Sequence, residues 1–234
     1  MNNSKGNRAG MGIVWDTETL RKQLKLYFIM GTPNCVRPPV ETLIEAIYGG
    51  ITLFQFREKG SGALRGAARS ALAAELRDLC RSHGIPFIVN DDIDLAITLD
   101  ADGVHIGQED APAAIVRRQL GPGKIVGVSA HTLEEARQAI YDGADYLGIG
   151  PIYPTSSKDD ARPVQGTSLI QELRRSGLRI PLVGIGGITS ANAEPVMAAG
   201  ADGVSVISAI AGADDIRGAA EHLLRGLHRR RSSS

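Results

Sequence analysis

Aromatic residues are scarce in this 234-residue chain, at 4%. That argues against a surface built to stack nucleic-acid bases. Charge of one sign is missing too: 26 Lys and Arg balance 26 Asp and Glu. The balance gives no reason to expect nucleic acid or a membrane surface as partner. There are two cysteines, Cys35 and Cys80, far apart and without ligand spacing. They read as reduced thiols, Cys80 packed in a helix, and no Cys/His zinc spacing accompanies them. No apolar run approaches the ~18 residues of a transmembrane helix. Residues 1–10 are polar with no apolar segment behind them, so no signal peptide is expected and the cytoplasm is the default compartment. No Ser-His-Asp arrangement stands out.

What the chain does have is alternation. Strand-like apolar runs fall at 26–30, 52–57, 86–89, 102–106, 125–128, 145–149, 181–185 and 202–207. Helical patterns lie between them, such as 42–48 and the alanine-rich 63–83. Gly49 and Gly50, Gly84, Gly143 and Gly200 mark helix ends, where glycine closes the last turn. Eight β-then-α units imply a parallel sheet with right-handed crossovers. That number suits an α/β fold of one closed (β/α)8 TIM barrel, typically ~250 residues. An open doubly wound sheet is the alternative, weakened because no Gly-x-Gly-x-x-Gly follows the first strand. The expected division is 1–20 as a partly disordered N-terminal extension containing Trp15, 21–228 as the barrel, and 229–234 as a disordered tail.

An internal repeat supports the barrel. Residues 126–145 align without gaps to 183–202, matching Val126, Gly127, Thr132, Ala136, Gly143, Ala144 and Asp145 to Val183, Gly184, Thr189, Ala193, Gly200, Ala201 and Asp202. Each copy reads strand, loop, capped helix, glycine stop, next strand. A repeat spanning two units is natural around a barrel.

In such a barrel the chemistry sits at the C-terminal ends of the strands. The unusual residues collect there. Gln55, Arg57 and Lys59 share one face at the end of strand 2, since strand side chains alternate. Two cations on an otherwise apolar strand ask for an anion. Asn90 and Asp91 end strand 3, His105 to Asp110 end strand 4, and Ser129 ends strand 5. Gly150 to Lys158 follow strand 6, Gly186 and Gly187 strand 7, and Ile207 and Ser208 strand 8. Asp91 and Asp110 fit magnesium, which takes one or two carboxylates plus substrate phosphates and keeps several waters. Asp92 and Glu109 read as helix caps or solvated acids. Gly186 and Gly187 precede a helix expected at Thr189, which suits a phosphate held at backbone N–H groups. His105 reads as a core or supporting histidine, and His131 as a loop or capping neighbour.

Taken together, Gln55 to Lys59, Asn90 to Asp92, His105 to Asp110, Gly127 to His131, Gly148 to Thr155, Val164 to Gly166 and Gly184 to Ile188 resemble the thiamine-phosphate synthase family. The likeness runs from about Leu26 to Ile210. It implies a (β/α)8 barrel that joins hydroxymethylpyrimidine diphosphate to a (carboxy)hydroxyethylthiazole phosphate, releasing pyrophosphate. By that resemblance Gln55, Arg57, Lys59 and Asn90 hold the pyrimidine diphosphate, with Phe56 and Glu58 in the same motif. Asp91 and Asp110 hold one magnesium ion per subunit. Ser129 contacts the pyrimidine and Lys158 the pyrophosphate. Thr155, Ser156, Ser157, Gly187, Ile207 and Ser208 form the thiazole phosphate side. Arg57, Lys59, Lys158 and Ser129 are the expected catalytic set. The partners implied are small molecules, not nucleic acid or membrane, with a homo-oligomer left open. Ser157 stands where the family often has threonine, which keeps the hydroxyl. A thiazole tautomerase-like barrel and a non-catalytic phosphate-ligand sensor are the other readings. The first needs no diphosphate site, and the full cation and carboxylate set speaks against it.

Overall fold

The computed structural model of the chain describes residues 15–157 and 163–228. Eight parallel strands close into a barrel: β1 (Leu26–Met30), β2 (Leu53–Phe56), β3 (Phe87–Asn90), β4 (Gly103–Ile106), β5 (Ile125–Ala130), β6 (Tyr146–Ile149), β7 (Leu182–Ile185) and β8 (Gly203–Val206). The ring is sealed by β1 pairing with β8, Leu26 opposite Val204. The helices are α1 (Thr17–Gln23), α2 (Pro39–Tyr48), α3 (Gly66–Ser82), α4 (Ile93–Thr98), α5 (Ala113–Leu120), α6 (Leu133–Tyr141), α7 (Ser168–Arg175), α8 (Ala193–Ala198), α9 (Ser208–Ala211) and α10 (Ile216–His228). Among the described residues no helix is long and apolar enough to cross a membrane. The tail 229–234 lies outside the described residues.

Strand alternation makes two cores. Phe28, Met30, Phe54, Phe56, Phe87, Val104, Val126 and Val204 face outward and pack with the helices. Tyr27, Ile29, Leu53, Ile88, Ile125, Tyr146 and Val183 face inward and fill the barrel. Each large side chain so buried contributes roughly 1.5–3 kcal/mol. The helix α1 belongs to the inner core: its Leu20 and the following Leu24 join that cluster, and Trp15 packs against it. The boundary expected at residue 20 therefore falls inside a helix that packs onto the barrel's interior. Asp16 caps α1, accepting from the Thr19 N–H at 2.8 Å.

The repeat has a physical basis at the N-terminal ends of the strands. The residue just before each even-numbered strand grips an N–H at the start of the strand before it. Thr52 Oγ1 accepts from Leu26, Asp102 from Phe87, Asp145 from Val126 and Asp202 from Leu182, each at 2.8 Å. In two of these units an arginine completes the joint. Arg117 donates to Asp145, to the Gly143 carbonyl and to the Lys124 carbonyl; Arg174, 57 positions on, donates to Asp202, Gly200 and Ile180. A Cβ on Gly200 would stand 2.8 Å from Arg174 Cγ, and Gly200 has φ +110°. Both the turn and the arginine stem demand glycine there.

The copies also part at the helix start. Thr132 caps α6, its side chain accepting from the Glu135 N–H at 3.1 Å. The matching Thr189 caps nothing. Its own N–H is taken by Asn192 Oδ1 at 2.7 Å, and α8 begins only at Ala193. The helix expected at Thr189 starts four residues late because a side-chain-closed turn comes first.

Candidate active site

Most of the described polar residues read as functional sit together at the C-terminal rim, in two adjoining hollows. The first, about 350 Å³, is lined by Arg57, Lys59, Asn90, Asp91, His105, Asp110 and Ser129 among others. The second, about 280 Å³, is lined by Thr155, Ser156, Ser157, Gly187, Ser205, Ile207 and Ser208 among others. Thr155, Ile185 and Gly186 line both, so the two hollows share a wall.

Each first-hollow side chain is aimed by its strand. Arg57 follows β2 on the inward parity and is 5% exposed, its N–H still bonded to Met30 O at 2.9 Å. Lys59 lies two residues further on, in the loop, with its side chain half exposed. The common face of Gln55, Arg57 and Lys59 thus holds as parity, but the strand ends at Phe56 and the three lie at different depths. Gln55 is buried in the barrel, with Nε2 donating to the Tyr27 hydroxyl at 2.5 Å and Oε1 lacking a protein partner.

Two neighbours in that motif point elsewhere. The Phe56 side chain lies in the outer core, stacked on Phe87 with ring centres 6.4 Å apart. Strand alternation turns it from the site. Glu58 ties the loops: it accepts from the Thr32 N–H at 2.8 Å, from the Thr32 hydroxyl, and from the Leu64 N–H at 2.7 Å. As binding residues these two carry no side-chain support.

Asp91 and Asp110 come from adjacent strand ends, as the sequence suggested. Asp91 has a left-handed backbone, φ +62°, and its N–H bonds to His105 O at 2.9 Å. That conformation is strained for a non-glycine residue. Lys59 Nζ stands 3.3 Å from Asp91 Oδ2, and Asp110 Oδ2 accepts from the Gly107 N–H at 2.7 Å. Burial, reinforced by the Asp110 carboxyl beside it, pushes Asp91 above the ordinary carboxylate range, while Lys59 pulls the other way. Two crowded acids of this kind are relieved by a divalent cation. Asp92 behaves as a cap, accepting from the Leu95 N–H at 2.9 Å and pairing with Arg69 at 2.6 Å.

In the second hollow Ser157 Oγ donates to Ser208 Oγ at 3.0 Å, joining the loop after β6 to the start of α9. Gly187 has φ +63°, and a Cβ there would stand 2.4 Å from Pro154 O. Only glycine permits this close approach. Lys158, with Asp159 and Asp160, lies outside the described residues.

Several lining residues were not among the sequence candidates. Gln108 donates to Ser129 O at 2.6 Å, fixing the end of β5. His131 also lines the first hollow, held by Glu135 at 3.0 Å. Both lie inside motifs already singled out, at 105–110 and 127–131, so their position relative to a strand end was the available signal. Ser205 is 2% exposed and its Oγ has no partner. Its inward parity on β8 was readable; its place in the second hollow was not.

The sequence matches the thiamine monophosphate synthase family over residues 26–210. The chain belongs to that family. It is 57% identical over 213 residues to the thiamine-phosphate synthase of Geobacillus kaustophilus, spanning 91% of this chain and 96% of that protein. It is 58% identical over 207 residues to the synthase of Geobacillus thermodenitrificans, spanning 88% and 93%. Among solved structures, the thiamine phosphate pyrophosphorylase of Pyrococcus furiosus superposes with a TM-score of 0.80 at 40% identity, covering 90% of this chain and 98% of that one. A 3-hexulose-6-phosphate synthase, at 17% identity and a TM-score of 0.64, shares the fold. These relatives give no support to the tautomerase-like and sensor readings.

Proposed function

We propose that this member of the thiamine-phosphate synthase family joins the two rings across the shared wall of the two hollows. The reaction condenses hydroxymethylpyrimidine diphosphate with a (carboxy)hydroxyethylthiazole phosphate, giving thiamine phosphate and pyrophosphate. The observation that carries the residue assignment is the division of the rim. Cations and paired carboxylates line one hollow, while hydroxyls and a glycine turn line the other.

The pyrimidine carbon that bears the diphosphate ionises readily, because the aminopyrimidine ring delocalises positive charge. As the C–O bond lengthens, negative charge gathers on the leaving diphosphate. Arg57 and Lys59 lie at that end of the hollow and stabilise it, with Lys158 assigned the same task by resemblance. Asn90 and Ser129 fix the pyrimidine ring. Gln55, which the resemblance assigns to the pyrimidine diphosphate, lies buried beneath the hollow and does not line it, with Oε1 left without a protein partner. Thr155, Ser157, Gly187 and Ser208 hold the phosphate of the thiazole, whose ring nitrogen then bonds to the electron-poor carbon. Much of the acceleration comes from holding two rings in contact, and no strong base is needed.

Asp91 and Asp110 fit a magnesium ion: two crowded carboxylates, one of them held above its ordinary range, beside a diphosphate site. When bound, the ion neutralises charge on the leaving diphosphate. The cytoplasm is the proposed compartment.

The test is product formation from the two purified substrates with magnesium and with a chelator. Thiamine phosphate that appears only with magnesium supports the whole reading. Product formed equally well in chelator removes the metal assignment. No product from folded protein overturns the residue assignment of both hollows.

A further inference from the structure

A single file of polar groups crosses the barrel interior beneath the first hollow. Gln55 Nε2 donates to Tyr27 Oη at 2.5 Å. Tyr27 Oη lies 2.8 Å from Tyr146 Oη, which lies 2.9 Å from His105 Nδ1. His105 Nε2 lies 3.0 Å from Ser129 Oγ, and Ser129 lines the hollow. Strands β2, β1, β6, β4 and β5 each contribute one member. The barrel makes room for these rings with glycine. A Cβ on Gly127 would stand 2.1 Å from Tyr146 Cζ, and one on Gly148 would stand 3.2 Å from His105 Cε1.

Counting protons gives the file a direction. The Gln55 amide donates, so Tyr27 Oη accepts there and has its own proton to place. Its neighbour in the file is Tyr146 Oη. Tyr146, having accepted, passes its proton on toward His105 Nδ1. Burial pushes both phenols above the ordinary tyrosine range, so each keeps the one proton it donates. An imidazole that accepts at Nδ1 carries its proton on Nε2 and donates to Ser129 Oγ. The Ser129 hydroxyl proton is then left to point into the hollow.

We propose that this one-way file holds His105 as its Nε2–H tautomer and so makes Ser129 a hydrogen-bond donor to the pyrimidine substrate, with His105 a positioning residue. The reverse polarity would make Ser129 spend its proton on His105 and present only lone pairs to the substrate. The amide of Gln55, on another strand, therefore sets what a serine across the barrel can recognise. The role toward substrate rests on the synthase reading above; the tautomer does not.

Two measurements test the two parts. Nitrogen-15 NMR of the ligand-free protein with labelled histidine reads the tautomer, with His105→Gln assigning the signal. The expected result is a protonated Nε2 and a bare Nδ1. Tyr146→Phe keeps the ring and removes the relay, and should give a mixture of tautomers. An Nδ1–H tautomer in the unaltered protein, or an unchanged tautomer in Tyr146→Phe, overturns the file's polarity while leaving the synthase reading intact. For the substrate role, His105→Ala should lower kcat/KM about tenfold, as expected for one neutral hydrogen bond. His105→Gln, which keeps an N–H donor near the Nε2 position, should recover most of it. In a Ser129→Ala background, His105→Ala should cost nothing further, because its effect passes through Ser129. Additive losses overturn the positioning role.

Discussion

Replacing Lys59 by alanine isolates one cation at the rim. Its Nζ stands 3.3 Å from Asp91 Oδ2, and its side chain is half exposed. Two unit charges 4 Å apart interact by ~1 kcal/mol in water and ~4 kcal/mol at an effective dielectric of ~20. A half-exposed ammonium beside a leaving diphosphate falls between these limits. About 2.7 kcal/mol, or about a hundredfold in rate, is the expected loss. Arg57, at 5% exposure, remains to carry part of the charge, so the loss should not be complete. The exposed position also means that folding should be unaffected. The assay is single-turnover chemical quench at saturating magnesium. Saturation compensates for the weaker pull on Asp91, and single turnover separates bond breaking from product release. Lys59→Arg should restore most of the rate. A single-turnover rate within roughly threefold of the unaltered protein would refute the assignment of Lys59 to the leaving group.

Further outcomes are expected elsewhere in the chain. Asp110→Asn removes one of the two crowded carboxylates and should shift the magnesium titration to higher concentration by tenfold or more; an unchanged titration takes Asp110 out of the metal site. Gly187→Ala adds a Cβ 2.4 Å from Pro154 O at a left-handed residue, costing about 1–2 kcal/mol in backbone strain alone. It should raise KM for the thiazole phosphate more than that for the pyrimidine diphosphate, and equal effects on both would show that Gly187 does not belong to the thiazole side. At the opposite end of the barrel, burial raises Asp102 above its ordinary 3.8. A carboxyl raised in the fold favours the native state below the unfolded value and loses that contribution as pH rises through the folded one. Asn at this position still accepts from the Phe87 N–H. The stability of Asp102→Asn relative to the unaltered protein should therefore climb as pH rises from 3.8 through the raised value, then level. Urea unfolding across that range reads it, and a flat difference would show that Asp102 ionises without cost.

Much of the architecture was legible because it is written locally. Period-two alternation put Gln55, Arg57 and Lys59 on one face, and in the closed barrel the same parity turns Arg57, Ser129 and Ser205 inward. Glycine stops at Gly143 and Gly200 marked helix ends because their positive φ is open to glycine and strained for other residues. The 57-residue repeat could be seen as letters, but not as the paired Arg117–Asp145 and Arg174–Asp202 joints that explain it. Those joints bring together a helix, the strand after it and the start of the next strand, residues 28 positions apart whose contact the letters do not show. Local pattern also misled. Phe56 and Glu58 sit inside the most telling motif, yet alternation turns one outward and a loop claims the other. Thr189 reads as a helix start, yet Asn192 takes its N–H and delays the helix.

Composition, periodicity and motif order determined by themselves that this chain would fold into eight βα units with its chemistry at one rim, since each of those signals acts over a few residues. Tertiary structure decided the rest. The closed ring brought Tyr27 of β1 against Tyr146 of β6, the loops after the paired β3 and β4 set Asp91 beside Asp110, and the loops together divided the rim into two hollows. Each of these depends on residues from different strands reaching hydrogen-bond distance, and sequence spacing does not encode that distance.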